Sequence, residues 1–286
     1  MKSFFTGTIV LIIVLLSCKS HGQMDARSQN LSVMTYNIRL DVASDGENAW
    51  PNRKEFLSSQ ILFYNPDILG VQEARPNQMD DLKLALETYK AIGLGRDGNG
   101  QGEYSAIFYN TKKVKVEIEE TFWLSETPDK VSQGWDAAYP RICTYGLFSL
   151  IKSGKKVWIF NTHLDHVGAE AQQKGMQLIL KKIEEVNTND YPVILTGDFN
   201  VEPNSELFKN LNESLNDSKE LAQLTFGPNG TFNGFKFHEP VTRRIDYIMV
   251  SKSDQIEVKK HAVLSSSIDL KYPSDHFPVL VKFNLK

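Results

Sequence analysis

Val193-Ile194-Leu195-Thr196-Gly197-Asp198-Phe199-Asn200 reads as a buried strand that ends on polar chemistry. Its run of aliphatic residues without polar alternation argues for a strand covered on both faces. A carboxylate and an amide then arrive at the strand end, where a packed core has no use for either. Ser274-Asp275-His276 inverts the arrangement by opening the apolar run from Phe277 to Phe283. Together the two blocks supply two carboxylates, an amide and an imidazole. That set can activate a water molecule and hold a hard metal ion beside a phosphate, so phosphoester hydrolysis is the leading reading.

Outward from these blocks, strand-like runs recur at 31–36, 67–72, 105–109, 114–119, 141–150, 157–162, 245–250 and 256–264. Helical spacing is read over 53–64, through Met79, Leu82 and Leu86, and over about 169–186, where Met176, Ile179, Leu180 and Ile183 share a face. Strands dominate, with helices between them. The expected fold is α/β (α+β): a four-layer αββα sandwich of two mainly antiparallel β-sheets flanked by helices, with loops at strand ends lining a cleft.

Composition supports a substantial core, with 41% hydrophobic and 23% charged residues. A formal net charge of -3 removes any global basic field for nucleic acid, leaving only local basic grooves. Lys2, the apolar stretch Ile9–Leu16 and Ser17-Cys18 read as a lipoprotein signal peptide over residues 1–17 with a lipidated Cys18. Residues 18–30 read as a polar tether, and residues 31–286 as one domain. The resulting expectation is an exported monomer, lipid-anchored to a bacterial membrane and touching it only through that anchor. Cys143 then has no disulfide partner and reads as a buried apolar residue.

Six blocks share the pattern of an apolar strand meeting a polar residue: Tyr36-Asn37-Ile38-Arg39, Val71-Gln72-Glu73, Phe160-Asn161-Thr162-His163-Leu164-Asp165-His166, Gly197-Asp198-Phe199-Asn200, Arg244-Ile245-Asp246-Tyr247 and Ser274-Asp275-His276. A strand-end Asp alone is usually a turn former or helix cap. In series, with the residue types that metal and phosphate need, the blocks resemble the endonuclease/exonuclease/phosphatase superfamily across the whole domain. That resemblance implies Glu73 as principal divalent-metal ligand with Asn37 and Asp246 nearby, and Mg²⁺ or Mn²⁺ as the ion. It implies that Asp198 orients or deprotonates the attacking water and that Asn200 holds the phosphoryl group. His276 paired with Asp275 would stabilise the pentacoordinate phosphorus or move a proton, and His163 would protonate or stabilise the leaving oxygen.

Other residues keep two readings. Arg39 stands where some nucleases of the superfamily carry an acidic residue, which weakens a second metal site; it binds an anionic substrate or pairs with a nearby carboxylate. Arg141 is a candidate phosphate clamp, and His166 either supports His163 or touches substrate. Trp50 and Trp135 sit in polar loops and either stack on substrate or anchor those loops, whereas Trp158 belongs to the core. The glycine-rich segment Gly93–Gly102 lacks a dinucleotide fingerprint and reads as a mobile loop beside the site. The expected substrate is a phosphorylated small molecule or oligomer, with a secreted nuclease acting on DNA or RNA as the alternative. A catalytically inactive binding module is the third reading, disfavoured because Glu73, Asp198, Asn200 and His276 are all present.

Overall fold

The computed structural model describes Met1 and residues 29–286. Apart from Met1, the segments read as signal peptide and as Cys18 anchor, and most of the one read as tether, lie outside those residues. The chain order is β1 (Gln29–Asn37), α1 (Trp50–Tyr64), β2 (Ile68–Gln72), α2 (Pro76–Ala85), β3 (Tyr89–Ile92), β4 (Ile107–Asn110), β5 (Val114–Trp123), β6 (Ile142–Leu150), β7 (Lys156–His163), α3 (Ala169–Val186), β8 (Val193–Asp198), α4 (Glu206–Ser214), β9 (Leu215–Asp217), α5 (Ser218–Leu221), β10 (Leu224–Phe226), β11 (Asp246–Ser251), β12 (Ile256–Val263) and β13 (Val279–Leu285). Gln29 and Asn30 pair with Leu285 and Asn284, so the sheet begins two residues inside the segment read as tether.

The strands form a seven-stranded sheet, β10-β12-β13-β1-β2-β4-β3, and a six-stranded sheet, β5-β6-β7-β8-β11-β9. Pairing is antiparallel except for β1–β2, β7–β8 and β10–β12. Strand periodicity explains how the sheets stack. In β1, Leu31 and Val33 face the apolar layer between the sheets, while Met34 and Tyr36 pack on the other face with Trp50, Leu57 and Ile61 of α1 and Leu82 of α2. In β8, Ile194 joins the same central layer, while Val193 and Leu195 meet Met176, Ile179 and Ile183 of α3 and Phe208 and Leu211 of α4. Three apolar layers therefore separate four layers of secondary structure, the αββα sandwich expected. Strands apolar throughout are the ones sandwiched between two of those layers.

One seam through the central layer is polar. Asn161 donates Nδ2–H to the carbonyls of Val71 and Ala106, 2.9 Å each, and its Oδ1 accepts from Gln72 Nε2 and Thr196 Oγ1. A Cβ on Gly70 would stand 2.6 Å from Asn161 Oδ1, so only glycine lets β2 approach this closely. The seam fixes the register between the two sheets directly below the strand ends that carry the chemistry. Asn161 thus belongs to the scaffold, although its block also supplies His163.

Candidate active site

Strand pairing delivers the central groups. His163 is paired with Asp198 across the parallel β7–β8 ladder, and Asp198 with Asp246 across β8–β11. From the other sheet, Asn37 is paired with Gln72, which puts Glu73 one residue past the end of β2. The Ser274-Asp275-His276 segment is tied on by Ser274 Oγ–H to the carbonyl of Asn37 at 2.7 Å. Arg39, Glu73 and Asn200 have φ of 57°, 62° and 53°, a left-handed conformation uncommon for such residues. Backbone strain at three site positions is the kind a fold tolerates where it must aim side chains.

Asn37 bridges the sheets through its amide nitrogen. Nδ2 donates to Glu73 Oε1 and to Asp198 Oδ2, both at 2.9 Å, while Oδ1 accepts the Arg39 N–H at 3.0 Å. Asn37 thus holds two carboxylates in place, with Oδ1 carrying one hydrogen bond from Arg39. Glu73 Oε2 also accepts the Leu40 N–H.

Asp246 is placed beside a histidine. It lies buried with Oδ2 at 2.9 Å from His276 Nδ1, while Asp275 Oδ1 is 4.0 Å from His276 Nε2. Asp246, not Asp275, is therefore the carboxylate that orients His276. Asp275 lies instead beside Arg39, 3.9 Å away.

The two histidines flank one oxygen: His163 Nε2 and His276 Nε2 stand 3.6 and 3.8 Å from Asp198 Oδ2. Their surroundings differ in sign. Burial alone would lower the pKa of His276, but the charge and hydrogen bond of Asp246, with Asp275 and Asp198 behind, outweigh it and hold the ring cationic. His163 is driven toward its neutral form by burial and by the facing charges of Arg141, His276 and Arg96. Asn200 Nδ2 donates to the Leu164 carbonyl at 3.1 Å, so its second hydrogen goes to His163 Nε2 at 3.0 Å. That nitrogen then accepts the amide hydrogen, which puts the proton of the neutral ring on Nδ1.

Asp198 is pushed up to about 7 by burial and by repulsion from Asp246. Its Oδ1 accepts the Asn200 N–H at 2.9 Å, while Oδ2, which accepts from Asn37, faces the two histidines. Asp275 rises to about 6 through burial, with the Glu73 charge adding to the rise and His276 opposing it.

These groups line a pocket of about 610 Å³ whose walls also carry Arg39, Arg75, Arg96, Glu103, Tyr139, Arg141, Phe232 and Arg243. Arg39 forms a two-pronged pair with Asp45, both contacts 2.9 Å, and borders the pocket, so it both pairs and faces the cavity. Arg141 is locked on Asp165 at 3.1 Å, and His166 Nδ1 accepts from Arg141 Nη2 at 3.0 Å rather than supporting His163. Trp50 is buried with Nε1–H on Asp81, and Trp135 packs under Lys174, so neither reaches the pocket. Gly93–Gly102 lies beside the site and folds as a hairpin, with Arg96 and Asp97 paired to Glu103 and Gln101 through their backbones. Glu103, Tyr139, Phe232 and Arg75 went unread in the sequence. They lie in loops without periodicity, and only the fold brings them to one cavity.

The sequence model of the Endonuclease/Exonuclease/phosphatase family matches residues 34–276, spanning every group just described. The chain belongs to the endonuclease/exonuclease/phosphatase family. Among solved structures it is similar to a family protein from Bacteroides thetaiotaomicron, with a TM-score of 0.86 and 37% identity over 91% of this chain and 99% of that one. It is also similar to a mannosyl-6-phosphatase from the same species, with a TM-score of 0.84 and 39% identity over 88% of this chain and 99% of that one. The human nocturnin catalytic domain, at 22% identity and a TM-score of 0.72 over 90% of this chain and 95% of that one, shares the fold. This chain spans 38% to 60% of the length of the first curated relatives it matches.

Members of this family are hydrolases of phosphoester bonds and typically depend on a divalent metal. The donor set fits such an ion. Glu73, Asp198 and His276 offer ligand atoms within 4.8 Å of one another. A cationic His276 is a poor ligand, because metal binding needs the neutral ring. Glu73 and Asp275, crowded carboxylates whose repulsion a cation would relieve, are the hard oxygen donors suited to Mg²⁺ or Mn²⁺.

Proposed function

We propose that this protein is a divalent-metal-dependent phosphoesterase that hydrolyses a small phosphorylated substrate, a phosphosugar in the first instance. The observation that carries the reading is the meeting of Asp198, His276 and Glu73 at the floor of one pocket, each held by a buried hydrogen bond or oriented by the bridging amide of Asn37. Glu73, with Asp275 beside it, would hold Mg²⁺ or Mn²⁺, and such an ion would supply charge neutralisation for the phosphate. Asp198 Oδ2 accepts a proton from water, and a carboxylate lifted to about 7 is matched to that task at neutral pH. His276, kept cationic by Asp246, donates from Nε2 to the phosphoryl oxygens as negative charge builds. Asn200, with its backbone on Asp198 and its amide on His163, fixes the far side of that carboxylate.

The volume of about 610 Å³ suits a ligand of one or two rings. Similarity to the mannosyl-6-phosphatase at 39% identity favours a hexose phosphate over a polymer. The net charge of -3 argues in the same direction. The lipobox-like Leu15-Leu16-Ser17-Cys18 supports an exported, membrane-tethered scavenging enzyme. The test is a panel of hexose phosphates, bis-p-nitrophenyl phosphate and single-stranded and duplex nucleic acid with Mg²⁺ or Mn²⁺. Hexose phosphates should be turned over fastest; faster turnover of nucleic acid would make this a nuclease, and no turnover of any of them would leave a binding module.

A further inference from the structure

One wall of the pocket takes no part in the chemistry above. It is assembled from the Gly93–Gly102 hairpin, Glu103, the loop around Tyr139 and the turn after β7. Arg96 meets Glu103 through two contacts, Nη1 to Oε2 at 2.9 Å and Nη2 to Oε1 at 2.8 Å. The Arg96 guanidinium lies over the Tyr139 ring, 5.0 Å from its centroid, and that ring is nearly parallel to His166, at 11° and 6.2 Å. His166 in turn meets Arg141. The wall is fixed from behind by Trp123, whose Nε1–H donates to the Arg96 carbonyl at 2.7 Å. Arg96 Nε is buried and without a hydrogen-bond partner. The wall faces the same pocket as Glu73 and His163 of the reacting centre.

A largely buried carboxylate–guanidinium pair contributes little net stability, because desolvation offsets the attraction. Neither residue lies in a strand or helix that would need it there. As a recognition surface it is well suited to neighbouring hydroxyls: the carboxylate accepts from O–H, and the rigid planar guanidinium donates to the adjacent oxygen. A base-binding pocket would instead offer a free aromatic plane. The Tyr139 plane already carries Arg96 and His166.

We propose that Arg96, Glu103, Tyr139 and His166 form the subsite for the alcohol portion of the substrate, and that it selects a polyhydroxylated, glycosyl-type phosphate over aryl phosphates and nucleotides. This rests on the phosphoesterase reading. The selection arises because hydroxyls missing from a poorer substrate leave the buried pair without its ligands.

The test compares mannose 6-phosphate, p-nitrophenyl phosphate and adenosine 5′-monophosphate as substrates of the full chain with Mg²⁺ or Mn²⁺. Glu103→Gln should lower kcat/KM for mannose 6-phosphate by roughly 10- to 100-fold, mainly through KM, and leave p-nitrophenyl phosphate within about threefold. Tyr139→Ala, at a half-exposed position where folding is not at risk, should shift the same ratio in the same direction. Equal losses on both substrates would overturn the subsite, as would an adenosine monophosphate preference that Glu103→Gln removes. A wild-type protein that hydrolyses none of the three would refute the phosphoesterase reading separately. Calorimetric binding of mannose 6-phosphate against phenyl phosphate, in wild type and Glu103→Gln, would still judge the subsite: sugar-selective weakening supports it, and unchanged binding overturns it.

Discussion

His163 and His276 lie near the same carboxylate oxygen, yet the fold prepares them for opposite duties. His276 arrives on the loop before β13 in the seven-stranded sheet and meets Asp246 of the six-stranded sheet, so it stays charged. His163 ends β7 within the six-stranded sheet and is ringed by Arg141 and Arg96, so it stays neutral and accepts a hydrogen bond from Asn200. Burial lowers both pKa values, and the neighbouring charges decide the outcome. Two imidazoles at similar depth, 3.6 and 3.8 Å from one oxygen, therefore cannot be assigned roles from position alone.

The largest effect expected from this contrast falls on His276. His276→Ala should reduce kcat by roughly 10³-fold or more, since it removes the charged donor at the phosphoryl group. Asp246→Asn should approach the same loss by releasing the proton of an intact ring, and steady-state kinetics at saturating metal reads both. Equal, small losses for His276 and His163 variants would break the comparison.

Next is the scaffold under the neutral side. Arg244 and Asp217 form a buried two-contact pair at 2.7 Å beside β11. Arg244→Met should destabilise by about 3–5 kcal/mol, because it strands the Asp217 charge. Denaturant unfolding checks this. A change within error would show that the pair is not needed to hold β9 against β11.

Asn37→Ala should weaken Mg²⁺ or Mn²⁺ binding by roughly 10- to 100-fold, as expected when the group orienting a ligand is lost. Calorimetric metal titration reads this without reference to activity.

The two histidines can also be told apart by their protons. In the metal-free protein, side-chain ¹⁵N NMR at pH 7 should find His276 doubly protonated and His163 neutral with its proton on Nδ1. Stability drawn from His276 is fully present below its unfolded value of 6.5 and lost as pH rises through its higher folded value. His163 works in reverse, its contribution failing as pH falls below 6.5.

A last, pH-linked effect comes from His261, lowered to about 4 by burial, with Arg244 nearby. The unfolded chain takes up this proton first, so stability should fall by about 3 kcal/mol between pH 6.5 and pH 4. His261→Gln should flatten that acid limb in a Tm-against-pH series.

Much of this architecture was legible because strand ends carry chemistry in a plain pattern. Runs such as Val193-Ile194-Leu195 predicted burial on both faces, and α3 spans Ala169–Val186 as its apolar spacing required. Short elements escaped: β3, β9 and β10 have three or four residues each, too few to show a period, and α4 lies in a segment left as loop. At the site, types and blocks were readable but partners were not. Asp275 adjoins His276 in sequence, which made it the natural partner; backbone direction instead turns the Nδ1 edge to Asp246, thirty residues upstream. Of the wall formed by Arg96, Glu103, Tyr139 and His166, only His166 was legible, because the hairpin, loop and turn that carry these side chains are gathered only by the closed sandwich.

The most direct test of the account is phosphate release from mannose 6-phosphate by the purified protein with Mg²⁺ or Mn²⁺, with chelator, and after Asp198→Asn. Metal-dependent release that is abolished by chelator and by Asp198→Asn is predicted. Release that persists in Asp198→Asn or in excess chelator would contradict it.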